Sequence, residues 1–123
     1  MSISATRAAI EMEQRTEELS PYDVIALLLD GALERVDQAK ATLAAGNTEE
    51  AGELMGRIVG IINGLRGSLD FEKGGEIAIT LDNLYDYINT RLCAAEAETG
   101  NDILIEADAL LNQVKLGWDG IAA

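Results

Sequence analysis

Few residues in this chain could do chemistry, and their spacing assembles no reactive site. Histidine is absent from all 123 positions. That removes imidazole acid–base catalysis, His-dependent triads, His metal ligation and phosphotransfer through histidine. Carboxylate-bridged di-iron bundles fall away too, because they need Glu-x-x-His pairs. The one cysteine, Cys93, shares its helical side with Asp86, which offers no electropositive setting to activate a thiolate. A lone cysteine forms no internal disulfide, which fits a reducing compartment. Asp82 and Asp86 stand one helical turn apart, but such pairs are common in an acidic chain, and a solvated face is expected for them. Tyr85 and Tyr87 read as packing and rim residues rather than cofactor contacts. There is no Gly-x-Gly-x-x-Gly and no P-loop. The expectation is a chain that is not an enzyme, with no catalytic residue, no cofactor and no metal.

Charge narrows the partners. Nine Lys and Arg face 22 Asp and Glu, a net charge of −13. Such a surface repels a polyanionic duplex and an anionic membrane, and it keeps the protein soluble. No apolar run approaches the ~18 residues of a membrane span. The first residues, Met1-Ser-Ile-Ser-Ala-Thr-Arg, lack a basic stretch leading into an apolar one. A cytoplasmic address is therefore expected, without nucleic acid and without membrane insertion.

What is left for function is surface that could bind. Val24, Leu27 and Gly31 lie on a flank of the first long helical pattern, about 80–100° from its core centre. That strip serves either a helix buried on two sides or a partner-facing face. Gly52, Gly56, Gly60 and Gly64 recur every fourth residue, with Gly67 on the same side, opposite a Leu/Ile stripe. Interior glycine costs a helix about 1 kcal/mol against alanine. The row is either a weak solvent face or a bare face that another backbone can approach closely. Ile105, Ala109 and Leu116 form a smaller outer strip near the end of the chain, equally readable as surface scatter.

These residues need helices to carry them. With 48% hydrophobic residues, a chain of this length can close one compact core. Proline occurs once, as Pro21, and Ala, Leu and Glu are abundant, which favours helix over sheet. Residues 1–19 are polar and weakly patterned, and are expected to be a short mobile arm or helix, its Ile10 able to cover the strip on the first helix and leave when a partner binds. The bundle domain is then 20–123.

The first helix starts at Ser20-Pro21, a cap followed by a first-turn proline, and stops at Gly46-Asn47. Its core stripe is Ile25, Leu28, Leu29, Ala32, Val36, Ala39 and Leu43. The second is capped by Thr48 and ends near Phe71, burying Leu54, Ile58, Ile61, Ile62, Leu65 and Leu69. Glu72-Lys73-Gly74-Gly75 reads as a tight connection. The third runs from Glu76 to Thr99-Gly100, with Ile77, Leu81, Leu84, Ile88, Leu92 and Ala95 inward and Tyr85 at the edge. The fourth is capped by Asn101 or Asp102 and buries Ile103, Ala107, Leu110, Leu111, Val114 and Trp118. Short links make successive helices antiparallel neighbours, so an all-α, up-down-up-down four-helix bundle is predicted.

Four segments in order resemble the flagellin secretion chaperones (FliS family) from Leu19 onward. Ser20-Pro21 followed by Val24, Leu28, Asp30, Gly31 and Ala32 is similar to the family's opening pattern. Leu65-Arg66-Gly67-Ser68-Leu69-Asp70 resembles its L-x-x-S-L-D. Phe71-Glu72-Lys73-Gly74-Gly75-Glu76-Ile77-Ala78 matches its most specific piece, and Leu84-Tyr85-Asp86-Tyr87-Ile88 with Arg91-Leu92 and a late Trp118 completes the series. The chain departs from the family at Leu29, where tyrosine is usual, and at Ile10-Glu11-Met12, where the arm tends to carry a tyrosine. The resemblance implies a non-enzymatic bundle that binds the disordered C-terminal region of flagellin in the cytosol. It implies that binding blocks premature filament assembly and presents the subunit to a membrane-embedded export gate. On that basis Ile10, Val24, Leu27, Gly31, Gly52, Gly56, Gly60, Ile105 and Leu116 are the candidate flagellin contacts. The rival reading is a regulatory or structural adaptor for some other amphipathic helix.

Overall fold

The computed structural model describes residues 20–121, so the arm and Ile10 lie outside the described residues. Four helices follow in order, α1 (Pro21–Ala44), α2 (Thr48–Gly67), α3 (Phe71–Cys93) and α4 (Gly100–Ile121). The start of α1 is set locally. Ser20 Oγ accepts from the Asp23 backbone N–H at 3.2 Å, and Asp23 Oδ2 accepts from the Ser20 N–H at 3.4 Å. This reciprocal box satisfies two amides that the first turn leaves unpaired. At α2 the cap is Asn47 rather than Thr48, its Oδ1 accepting from Glu50 N–H at 3.3 Å.

α3 begins earlier than its apolar pattern predicts. Asp70 caps a short turn from Phe71, accepting from the N–H groups of Glu72 and Lys73 at 3.1 and 3.0 Å. Gly75 then breaks the helix with φ +50° and ψ −125°, a conformation that a Cβ would strain, before the helix resumes. The far end is also shorter, because α3 stops at Cys93 and residues 94–99 form the turns leading into α4. Gly100 is not a stop signal. It opens α4, and a Cβ there would stand 2.9 Å from Leu43 Cδ2 and 3.3 Å from Met55 Cε. A close approach of α4 to α1 and α2 thus explains that glycine, and Asn101 and Asp102 lie inside the first turn rather than at the cap.

The helices form an antiparallel bundle in the cyclic order α1, α2, α3, α4, with α1 in contact with both α2 and α4. α1 and α2 make the most extensive seam and α3 and α4 the thinnest, while α2 and α4 stand on a diagonal. Leu29, Val36, Ile58, Ile62, Leu65, Ile88, Leu104 and Leu111 are fully buried between them. Three placements differ from the expectation. Ile77 is 73% exposed instead of core, because α3 and α4 separate at that end and leave its flank uncovered. Tyr85 is buried rather than at the edge, and Leu104, absent from the predicted stripe, is at its centre. Both lie on flanks whose burial depends on which neighbour packs there.

Polar bridges tie three of the four seams. Arg66 of α2 donates to Asp82 at 2.8 Å and to Asp86 at 3.3 Å on α3. The pair expected to be a solvated face is therefore a clamp, and the Asp82 hydrogen bond holds the Arg66 guanidinium above its ordinary value. Between α3 and α4, Glu106 accepts from Tyr87 Oη at 2.8 Å and from Arg91 Nε at 3.4 Å. Between α1 and α4, Lys115 pairs with Asp30. At the α1–α2 seam a Cβ on Gly31 would lie 3.4 Å from Arg35 Nη1 and 3.9 Å from Ile61 Cδ1.

Candidate functional site

The α1 strip stays exposed after the bundle closes. Leu27 is 56% exposed and Val24 40%, while Gly31 is half-buried beside Arg35 and Ile61. Because Gly31 faces Ile61 and the two helices are antiparallel with equal rise, Leu27 and Val24 come about level with Leu65 and Ser68. By helical angle Gly64, over which an added Cβ meets nothing within 4 Å, lies on the same side of α2 as Ile61. An apolar strip and a bare stretch of α2 thus lie side by side.

The glycine row does not make one face. A step of four residues advances about 40° round a helix, so the row winds across the outside of α2. Gly52 and Gly56 open on the α3 side, into a depression of about 270 Å³ lined also by Val59, Leu92 and Cys93. Gly60 faces outward, and Gly64 turns toward α1. All of these glycines are exposed, and a Cβ on any of them would enter open space.

Ile105 and Leu116 are placed apart from these. Both project from the outer face of α4, opposite its core side, with Leu116 76% exposed. α4 is diagonal to α2, so the structure does not bring this strip together with the glycines.

Two features escaped the sequence reading. Where α3 and α4 separate, a depression of about 360 Å³ is lined by Ile77, Leu81, Val114, Gly117 and Trp118. One wall is fixed by a clasp. Trp118 stacks on Tyr22 with centroids 5.1 Å apart and planes at 10°. Tyr22 Oη donates to the Trp118 carbonyl at 2.8 Å, and Trp118 Nε1 donates to the Tyr22 carbonyl at 3.1 Å. A tyrosine beside the only proline and the only tryptophan near the other end were the available signals, and neither says that they meet. The second feature is a shallow groove of about 510 Å³ between α2 and α3, lined by Val59, Asn63, Arg66, Asn89, Cys93 and Ala94 among others.

None of these surfaces is built to react. Among the described residues no group of three His, Cys, Asp or Glu could hold a metal ion. Cys93 is exposed. Tyr85, by contrast, is a structural phenol, and burial pushes it up to about 12. Above pH 10 the unfolded chain releases this proton while the folded chain keeps it. Its contribution is therefore intact below pH 10 and lost as pH rises toward 12. Tyr85→Phe should keep its helical circular dichroism to higher pH than the parent, and an unchanged alkaline midpoint would contradict this.

The described residues thus form an all-α scaffold with several apolar side chains exposed. The family described as "Flagellar protein FliS" matches residues 3–123. The chain is 42% identical over 113 residues to the flagellar secretion chaperone FliSB of Pseudomonas aeruginosa, covering 92% of this chain and 90% of that protein. It is 35% identical over 116 residues to the flagellar secretion chaperone FliS of Salmonella typhimurium, covering 94% and 86%. With its Vibrio cholerae counterpart it shares 32% identity over 112 residues, covering 91% and 82%. These relatives are named as chaperones and not as enzymes. The chain belongs to the FliS family of flagellar proteins.

Proposed function

We propose that this chain is a cytosolic export chaperone that holds the disordered C-terminal region of flagellin, prevents its premature polymerisation and delivers it to the flagellar type III export apparatus. The observation that carries the reading is the exposure of Val24, Leu27, Ile77, Ile105 and Leu116 outside a buried core. A bundle that presents apolar side chains on several flanks suits a long client. Such a client is ordered only on binding, so it needs extended apolar surface to offset its lost conformational freedom. Secretion chaperone is also what the matched relatives are named. No helix among the described residues is long and apolar enough to cross a membrane, so contact with an export gate would be made from the surface.

The reading is tested by titrating the flagellin C-terminal region into the protein. Micromolar or tighter binding is expected, together with failure to bind a flagellin lacking that region. Leu27→Asp should weaken binding about ten- to a hundredfold, because a carboxylate would be desolvated against an apolar client segment. Its melting temperature should stay near the parent's, since Leu27 already faces solvent. Equal affinity of the variant would remove the α1 strip from the site. Retention of an unrelated amphipathic helix in place of flagellin would favour the adaptor reading.

A further inference from the structure

Asn63 precedes Gly64, and no other asparagine in the chain is followed by glycine. Asparagine before glycine is the dipeptide most prone to modify itself, because glycine puts no side chain in the way of ring closure and adopts the backbone shapes the ring needs. In that reaction the Gly64 backbone nitrogen attacks Asn63 Cγ. A nitrogen–carbon bond forms, the side-chain amide leaves, and the proton lost by the Gly64 nitrogen reaches it through solvent to make ammonia. The imide that remains is opened by water at either carbonyl. One product is aspartate at position 63. The other is isoaspartate, whose main chain carries one extra carbon.

The fold holds the reaction back. Both residues lie in α2, and Gly64 begins its last turn, which ends at Gly67. Inside the helix the Gly64 N–H is spent on the Gly60 carbonyl, and the helical backbone keeps that nitrogen from Asn63 Cγ. The Asn63 side chain is held as well, since its Oδ1 accepts from Asn89 Nδ2 at 2.9 Å. Further contacts close the turn. Leu65 is buried, and its carbonyl accepts from Ser68 Oγ at 2.7 Å. Arg66 is clamped to Asp82 and Asp86 of α3. Against them stand Gly64 and Gly67, two poor helix residues in a single turn. Asn63 and Gly64 are exposed, so water reaches them once the turn opens.

We propose that Asn63 is a self-modification site gated by the last turn of α2, with opening of residues 64–68 freeing the Gly64 nitrogen to close on it. Water is the only co-reactant, and no client is involved. The two products act differently. Aspartate keeps an acceptor for Asn89 and adds a carboxylate one turn from Arg66, where it competes with Asp82. Isoaspartate lengthens the backbone just before Leu65 and Arg66 and shifts them out of helical register. Leu65 then leaves the core and Arg66 its clamp, so modification loosens the α2–α3 seam.

The test is to age the protein in mildly alkaline buffer and follow the peptide that contains Asn63 by mass spectrometry, with isoaspartate detected by enzymatic methylation. Conversion should run at least about tenfold slower than in a free peptide of residues 58–68. Gly67→Ala, which leaves the reacting pair untouched and meets nothing within 4 Å, should slow it about three- to fivefold more. Arg66→Ala should speed it about three- to tenfold. Leu104→Ala weakens the core far from this turn and should convert at the parent's rate. Acceleration of Leu104→Ala in step with its lost stability would show that only global unfolding exposes the pair, and would overturn the gate. Conversion of the parent at the free peptide's rate would overturn it too. An Asn63 still intact after the peptide has reacted fully many times over would remove the site altogether.

Discussion

Replacing Gly56, Gly60 and Gly64 together by alanine should stabilise the protein by about 2–3 kcal/mol. Each sits inside α2 on its outer side, and a Cβ at any of the three meets nothing within 4 Å. The substitution therefore adds no clash and removes backbone freedom from the unfolded chain. Urea unfolding should show a higher midpoint with an unchanged slope. A loss of stability would mean that the row packs against another segment. The same variants address function, because alanine is small enough to leave a close-approach surface usable. Gly56→Leu is the contrasting change. It would stand in the depression shared with Val59, Leu92 and Cys93, so client affinity should fall while stability holds. Gly60 does not line that depression, and Gly60→Leu separates a groove effect from a general effect on α2.

Leu104→Ala should destabilise the protein by about 2–5 kcal/mol. Leu104 is completely buried on α4, one turn along from the point where Gly100 brings that helix against Leu43 and Met55. A glycine chosen for close approach leaves little slack for neighbours to collapse into the cavity, which places the cost toward the upper part of that range. Chemical unfolding of parent and variant gives the difference directly. A loss below about 1 kcal/mol would show that the α1–α4 interface closes over the gap. Leu116→Ala, on the opposite face of α4 and 76% exposed, is the control and should change stability by less than about 0.5 kcal/mol.

The candidate surface was legible in part. Val24, Leu27, Ile105 and Leu116 are exposed as the strip reading requires, because an apolar residue well off a helix's core direction finds no neighbour in a four-helix bundle. The glycines are exposed for the same reason, but their division between two seams was not visible, since a four-residue period drifts round the helix. The α2–α3 groove was missed altogether. Asn63 and Asn89 are 26 positions apart, and neither has a sequence neighbour that marks it as buried or paired.

By itself the sequence determined the helices, their approximate ends and their antiparallel order. Those properties rest on local physics. Ser20 and Asp23 cap α1 through contacts three residues apart, apolar spacing selects one face of each helix, and connections of a few residues force neighbours to run in opposite directions. It also determined what the protein lacks the means to do, since a chain without histidine cannot perform histidine chemistry in any fold. Only the tertiary structure decided what happens at the flanks. Whether Ile77 is covered depends on how far α3 and α4 stand apart, and whether Asp82 is solvated depends on Arg66, which is 16 positions away. Tyr22 and Trp118 meet across 96 positions because the first and last helices are neighbours. Burial on a flank and pairing across a seam belong to two helices at once, and no pattern within one of them can specify its partner's distance.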